Sequence, residues 1–516
     1  MAQQPWHATV DRRGFLVRAG AALPTLLHPA TRHLSLGRSA RPGPPVTSPK
    51  RQLRGVWVTS LRDIDWPNTP GLSAARLQAD YTDLLDALQR IGVNAVFVQV
   101  RPTADAFWPS PFEPWSEWLT GVQGRDPGWD PLDFAVRAAH LRGIAFHAWV
   151  NPFRISLYAD PTRLHPDHPA LRHPEWVVRH SGELYYDPGH RVAREFVEQA
   201  IAATVARYPV DGVHFDDYLY PYPGTERDFA DGDSYRRYGQ GISDRRAWRR
   251  QNADLFVRGM RDLLRAIRPD AAFGVGPFGI WRNARTDPLG SATNGLQSYD
   301  QLYADTRRWV REEWVDYLAP QLYWQIGHPL ADYAVLAPWW ARQAAGTTTQ
   351  LWIGHPATRP GAPDQPGWRD PGELSRHLAM NATLPNMTGD LLYNATAVRA
   401  DRIGAISRMA ADHWALPALR PLLPRHAAQP PPAPPRVRRT RDGAGRPALA
   451  VEAGATGEPF QYALYPPVAD PATDPPLALF PGHVRELTLP PAATGPAVYA
   501  VTAVDRANRE SRPVVG

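Results

Sequence analysis

The chain has 516 residues, 43% of them hydrophobic and 21% charged, enough apolar sequence to bury a large core and too much for a disordered polymer. Its net charge of +6 is held at one end: the first 54 residues carry nine Lys or Arg against one Asp, an excess of eight, so the remainder is near −2 and makes no electrostatic case for a nucleic-acid partner. There is no cysteine, which excludes disulfides, thiolate metal sites and a cysteine nucleophile.

Residues 1–50 open with Asp11-Arg12-Arg13-Gly14-Phe15-Leu16 and a mildly apolar stretch over 17–27, a pattern similar to a bacterial twin-arginine export signal. It predicts an exported protein, periplasmic or extracellular. No other stretch approaches the roughly 18 apolar residues of a membrane span, so no transmembrane segment is expected in the mature chain. Proline-rich runs at 41–49 and 429–435 read as linkers.

From residue 51 to 425 short β-rich apolar runs alternate with longer amphipathic ones, the pattern of repeated βα units around a parallel sheet. Eight strands are predicted, at 53–59, 95–101, 144–151, 212–216, 272–277, 317–323, 350–354 and 390–393, and eight suggests a closed TIM-like (β/α)8 barrel of α/β class. Helical spacing appears between them, as in Leu77, Tyr81, Leu84, Leu85 and Leu88. A Pro-rich linker is expected over 426–445. Beyond it, 446–516 has short alternating runs ending in Val498-Tyr499-Ala500-Val501-Thr502-Ala503-Val504-Asp505, which resemble the last strands of a small fibronectin type III-like all-β sandwich.

The most informative segment is Asp211-Gly212-Val213-His214-Phe215-Asp216-Asp217-Tyr218, an apolar strand ending in two carboxylates and followed by a loop rich in tyrosine and proline. With a period of two, Val213 and Phe215 share the face toward covering helices, while Gly212, His214 and Asp216 share the interior face, so Asp216 is expected at the barrel mouth. The same interior side is polar at the ends of other strands: Gln99 and Arg101, His147 and Asn151, Gln321 and Tyr323, with Trp324 next. Strands buried on both faces normally read as continuous apolar runs, so these side chains are expected to bond to one another or to a ligand.

These runs, together with Leu53-Arg54-Gly55-Val56-Trp57-Val58, Asn94 through Pro102, His147-Ala148-Trp149-Val150-Asn151-Pro152, Gly279-Ile280-Trp281-Arg282-Asn283 and Asp316 through Trp324, resemble in order the bacterial glycosyl hydrolase-like family ten. The resemblance spans nearly all of 52–400 and implies a TIM-like barrel, export and hydrolysis of a bacterial glycan. One branch of that family cuts peptidoglycan strands stripped of their peptides. Many relatives carry a lipoprotein cysteine, which this sequence lacks.

The expected function is therefore a glycoside hydrolase acting on a cell-envelope or extracellular polysaccharide, peptidoglycan strands or another N-acetylated amino-sugar polymer, with no cofactor and no metal. Glycoside hydrolysis ordinarily needs two carboxyl groups. Asp216 is the first candidate and Asp217 the candidate acid. Substrate binding is expected from Arg101, Glu113, His147, Asn151, His214, Tyr220, Trp281, Arg282, Gln321, Tyr323 and Trp324: arginines for a substrate carboxylate, indoles and phenols for flat sugar faces. Two alternatives stay open, a non-catalytic glycan-binding barrel and a metal-dependent polysaccharide deacetylase. The latter requires a ligand set that the loop His165-Pro166-Asp167-His168 does not clearly supply.

Overall fold

A computed structural model describes residues 48–224, 228–489 and 498–516; the export-signal pattern at 11–27 lies outside them. Eight parallel strands, β1 (Leu53–Val58), β2 (Ala95–Arg101), β3 (Ala145–Val150), β4 (Gly212–Phe215), β5 (Ala272–Val275), β6 (Tyr317–Leu318), β7 (Gln350–Pro356) and β8 (Met387–Tyr393), follow one another around a closed barrel, and β8 pairs with β1. Each lies within a few residues of its expected position except β6, which pairs over two residues rather than seven. Pro320 has no N–H to give a ladder, so the strand continues only as bridges from Gln321 to Phe278 and Gly354.

Side-chain alternation does what the strand period requires. Val56, Val58, Val96, Val98, Val213 and Phe215 point outward into the core shared with the helices. That core includes Leu77, Tyr81, Leu84, Leu85 and Leu88 of the helix Ala74–Arg90. Inward, the large rings of Trp57, Phe97, Trp149, Tyr317 and Trp352 fill the barrel together with Leu391. Two glycines make room for them: a Cβ on Gly212 would lie 2.2 Å from His147 Nδ1, and one on Gly274 would lie 2.3 Å from the Tyr317 ring.

Between β3 and β4 the chain builds a three-stranded antiparallel flap, Arg154–Ser156, Glu183–Tyr186 and Val177–His180, with the middle one in sequence order at the edge. The flap carries Arg154 to the mouth.

After the barrel come β9 (Arg436–Arg441), β10 (Pro447–Glu452), β11 (Gln461–Tyr465), β12 (Ala478–Pro481), β13 (Glu486–Thr488), β14 (Ala500–Val504) and β15 (Val514–Val515). They form two antiparallel sheets, β9-β10-β13 and β12-β11-β14-β15. Leu449, Val451 and Leu487 of the first meet Tyr462, Leu464 and Val501 of the second in one small core. The expected linker over 426–445 is thereby corrected, because β9 lies inside it. Its Arg-Val-Arg-Arg-Thr-Arg sequence hides the strand: only Val437 packs on the module core, and four of six positions are exposed.

This module docks on the barrel floor, the end opposite the carboxylate mouth. Arg506 donates to Pro209 O at 2.6 Å and to Asp211 Oδ1 at 3.1 Å, just before β4 begins. Lys50 pairs with Glu510 at 2.6 Å, Asn508 donates to Pro421 O at 2.9 Å, and Leu419 packs on Ala463, Tyr465 and Val504. Residues 48–516 form one compact unit.

Candidate active site

Asp216 follows β4 immediately and keeps the inward parity of Gly212 and His214, which brings its carboxyl group to the mouth, half-buried. Three donors converge on it. Asp217 N donates to Oδ1 at 2.9 Å, Gln321 Nε2 to Oδ1 at 3.4 Å, and Asn151 Nδ2 to Oδ2 at 3.4 Å. Asn151 is itself oriented by Gln99, whose Nε2 donates to its Oδ1 at 3.1 Å. Gln99 is held in turn by the backbone N–H groups of Ser60 and Leu61, at 3.2 and 3.0 Å. A chain of amides running from the turn after β1 through Gln99 of β2 to Asn151 just past β3, joined by Gln321 beyond β6, thus aims at a single carboxylate.

Arg154 lies across the Tyr218 ring, 4.6 Å from its centroid, and donates to Glu183 at 3.1 Å. Tyr185 donates to the same Glu183 oxygen at 2.5 Å. Tyr218 Oη accepts from Asn151 Nδ2. Burial pushes the Asp216 pKa up, while its hydrogen bonds and the Arg154 charge oppose the rise. Asp217 has one side-chain donor, the Tyr222 hydroxyl, and stands beside the Asp216 charge; burial and that charge push its pKa well above the ordinary value. Burial raises both carboxyl groups, and the Asp216 charge raises Asp217 further, so of the adjacent pair Asp217 is the one that holds a proton more readily.

Half-buried aromatic side chains frame the pair. Tyr323 stacks on Tyr393 with centroids 6.1 Å apart, and Trp324 meets Phe278 edge-on at 5.6 Å. Phe278 in turn meets Tyr222 at 6.4 Å. Asp216 and Asp217 both act on the Tyr323 hydroxyl electrostatically, which puts Tyr323 beside them. Asp216, Asp217, Asn151, Gln321, Tyr323 and Trp324 are thus brought together.

The other expected contacts are not. Arg101 and Glu113 form a fully buried ion pair, with Arg101 Nη2 2.5 Å from Glu113 Oε1, and Arg101 also donates to Asn151 O and Pro152 O at 2.6 and 2.8 Å. Both side chains are 0% exposed, so the expected guanidinium and carboxylate contacts with a sugar are replaced by contacts with each other. His147 is stacked on Phe97 at 4.4 Å in the barrel interior, and burial lowers its pKa to about 3. His214 accepts from Trp57 Nε1 at 3.0 Å and lies 3.1 Å from Tyr317 Oη; burial keeps it neutral as well. These two histidines form a satisfied polar layer beneath the mouth.

Tyr220 is likewise correctly placed on the loop after β4 but points away, 0% exposed against Phe229 and Tyr303 with its hydroxyl 3.3 Å from Asn252 Nδ2. Trp281 is 5% exposed, donates to Asp305 at 2.9 Å and stacks on Trp339. Arg282 is tied to Asp300 at 2.8 Å and Asp287 at 2.7 Å. The residues not singled out as binders, Tyr218, Tyr222, Glu183 and Tyr393, reach the site through the flap and strand ends. The tyrosine-rich loop after Asp217 was the available signal for the first two.

His168 caps a short turn, with Nε2 3.0 Å from Ala104 O and Nδ1 accepting from Ala170 N, so the His165–His168 loop is tied up in backbone hydrogen bonds. Among the described residues no group of three or more His, Cys, Asp or Glu is arranged to hold a metal ion, and no helix is long and apolar enough to cross a membrane.

The sequence profile described as Glycosyl hydrolase-like 10 matches residues 52–370. The chain is 43% identical over 377 residues to Glycosyl hydrolase YngK of Bacillus subtilis, covering 72% of this chain and 74% of that protein. It is 38% identical over 374 residues to Glycosyl hydrolase DigH of Escherichia coli K12, covering 68% and 85%.

Proposed function

This chain belongs to the glycosyl hydrolase-like 10 family and is a glycosidase, and from that premise we propose that it is exported and cleaves an N-acetylated amino-sugar polymer, such as peptidoglycan glycan strands. The observation that carries the proposal is the unequal setting of two consecutive carboxyl groups at the barrel mouth, Asp216 within a fan of three donors and Asp217 with the Tyr222 hydroxyl as its side-chain donor and its pKa raised further by the Asp216 charge. Environments that drive two neighbouring carboxyl groups apart assign an acid and a base.

Asp217 donates its proton to the glycosidic oxygen as the bond from that oxygen to C1 breaks. The carbonyl oxygen of the substrate's own acetamide forms the new bond to C1, and Asp216 accepts a hydrogen bond from the acetamide N–H, which becomes positively polarised. Asp217, now a carboxylate, takes a proton from water as the water oxygen bonds to C1 and the five-membered ring opens. The site is thereby restored, and the configuration at C1 is retained. Substrate-assisted hydrolysis of this kind needs no second carboxylate across the sugar ring. Tyr323, Trp324 and Tyr222 offer faces for the sugar rings on either side.

The alternating seven-strand module, with sheets of three and four strands in the order described, supports a fibronectin type III-like reading. The test is to digest peptide-free glycan strands and poly-N-acetylglucosamine with the protein and follow products by mass spectrometry beside Asp216→Asn and Asp217→Asn. Shortened chains from wild type only, inhibited by a thiazoline mimic of the cyclised acetamide, are expected. Cleavage of non-acetylated glycans at an equal rate would overturn the acetamide mechanism. Binding without cleavage in wild type would return the protein to the glycan-binding class.

A further inference from the structure

Arg154 reaches the mouth on the flap inserted between β3 and β4, and most of its hydrogen-bonding capacity is unused there. Glu183 takes the Nε edge at 3.1 Å, and the Tyr185 hydroxyl, bonded to the same Glu183 oxygen, stands beside the guanidinium. No carboxylate or carbonyl of the described protein accepts a hydrogen bond from Nη1 or Nη2, although the side chain is only 15% exposed. Arg101, Arg249 and Arg282, by contrast, each place Nε and both terminal nitrogens on protein oxygens. The Nε clamp and the Tyr218 ring, 4.6 Å away, hold the guanidinium plane in one orientation, so its free end is a pair of parallel donors fixed before any ligand arrives.

The position of that free end relative to the two carboxyl groups indicates what it meets. The Arg154 charge acts on Asp216, whereas Asp217 feels chiefly burial and the Asp216 charge, which puts Arg154 on the Asp216 side of the pair. In the acetamide mechanism above, on which this inference rests, Asp217 serves the glycosidic oxygen at C1 and Asp216 the acetamide at C2. The next ring position on the Asp216 side is C3.

We propose that Arg154 reads the substituent at C3 of the sugar being cleaved, donating from Nη1 and Nη2 to a carboxylate carried there on an ether arm. It thereby selects an acidic amino sugar over N-acetylglucosamine at the scissile bond. A C3 hydroxyl engages one of the two donors. A carboxylate engages both, because its two oxygens match the spacing of the guanidinium N–H pair, and charge-assisted bonds of this kind are about twice as strong as neutral ones.

The test compares kcat/KM of the full-length protein, Arg154→Met and Arg154→Lys on three glycans. These are peptide-free strands in which every second sugar carries a 3-O-lactyl carboxylate, the same strands with that carboxylate reduced to an alcohol, and poly-N-acetylglucosamine. Wild type should prefer the acidic strands to the reduced ones by about 10- to 100-fold, the contribution of a hydrogen bond to a charged group. Arg154→Met should erase that preference, whatever it does to cleavage of all three glycans through Asp216, and Arg154→Lys, which keeps the charge without the paired donors, should retain part of it. Comparing two substrates within one variant cancels any loss of folded protein. Equal loss on acidic and reduced strands in Arg154→Met would show a role confined to the flap or to Asp216 and overturn the proposal. So would a wild type that cleaves the reduced strands as fast as the acidic ones. Cleavage of none of the three by wild type would sink the amino-sugar reading itself, and this inference with it.

Discussion

Tyr222→Phe isolates the proton on which the proposed chemistry depends. The phenol ring packs against Phe278 and Tyr218, and the substitution keeps that ring while deleting the one hydroxyl that donates to Asp217. Burial, then the Asp216 charge, raises the Asp217 pKa, and the Tyr222 hydrogen bond opposes that rise by favouring the ionised form. A hydrogen bond to a charged group contributes about 1.5–3 kcal/mol when well buried. At this half-open mouth the lower end applies, about 1.5 kcal/mol, which is roughly one pKa unit.

The sign follows directly. Without the hydroxyl, Asp217 keeps its proton to higher pH, so the basic limb of kcat/KM moves up by roughly one unit, while the acidic limb, set by Asp216, stays nearly in place. The assay is the pH profile of glycan cleavage by wild type and Tyr222→Phe, followed by release of reducing ends. A basic limb that does not move, or that moves down, refutes Asp217 as the acid.

Asp105 is 0% exposed, neither of its oxygens has a hydrogen-bond partner, and burial followed by the Glu117 charge pushes its pKa up to about 8. The folded state thus holds a proton that the unfolded chain releases near pH 4, so stability should fall between about pH 4 and pH 8 by several kcal/mol; Asp105→Asn should flatten that slope in Tm measurements, and an equally steep slope in the variant would count against it. Arg101→Met strands a buried Glu113 charge and should cost about 3–5 kcal/mol in denaturant unfolding, whereas Arg101→Met/Glu113→Gln should recover much of the loss. If the double substitution recovers none, the pair is not the framework described. Arg506→Ala removes the anchor between the module and the barrel floor, at a third-exposed site, and should lower stability by about 1–2 kcal/mol without altering the pH profile of cleavage; a shifted profile would show that the module reaches the mouth after all.

Strand periodicity alone placed all eight barrel strands, the inward parity of Asp216 and its nearness to Asn151 and Gln321, because those properties follow from a two-residue repeat and from a closed parallel sheet whose strand ends converge on one rim. Residue type and parity also nominated Arg101, His147 and His214, but could not say how deep in the barrel each would sit or whether its charge would already have a partner. Glu113 lies in a loop twelve positions from Arg101, and only the path of that loop brings the two together. Trp281 and Arg282 likewise met partners supplied by Asp305, Asp300 and Asp287, from turns whose course no local pattern encodes. The polar pattern of β9 concealed a strand within an expected linker, since an edge strand with one buried position leaves little apolar alternation to read. The sequence by itself determined the barrel, the carboxylate pair and the family, all of which are carried by local spacing and residue type. Tertiary structure alone decided which polar groups reach the barrel mouth and which neutralise one another, because desolvated charges must find partners, and partners distant in sequence meet only when the chain folds.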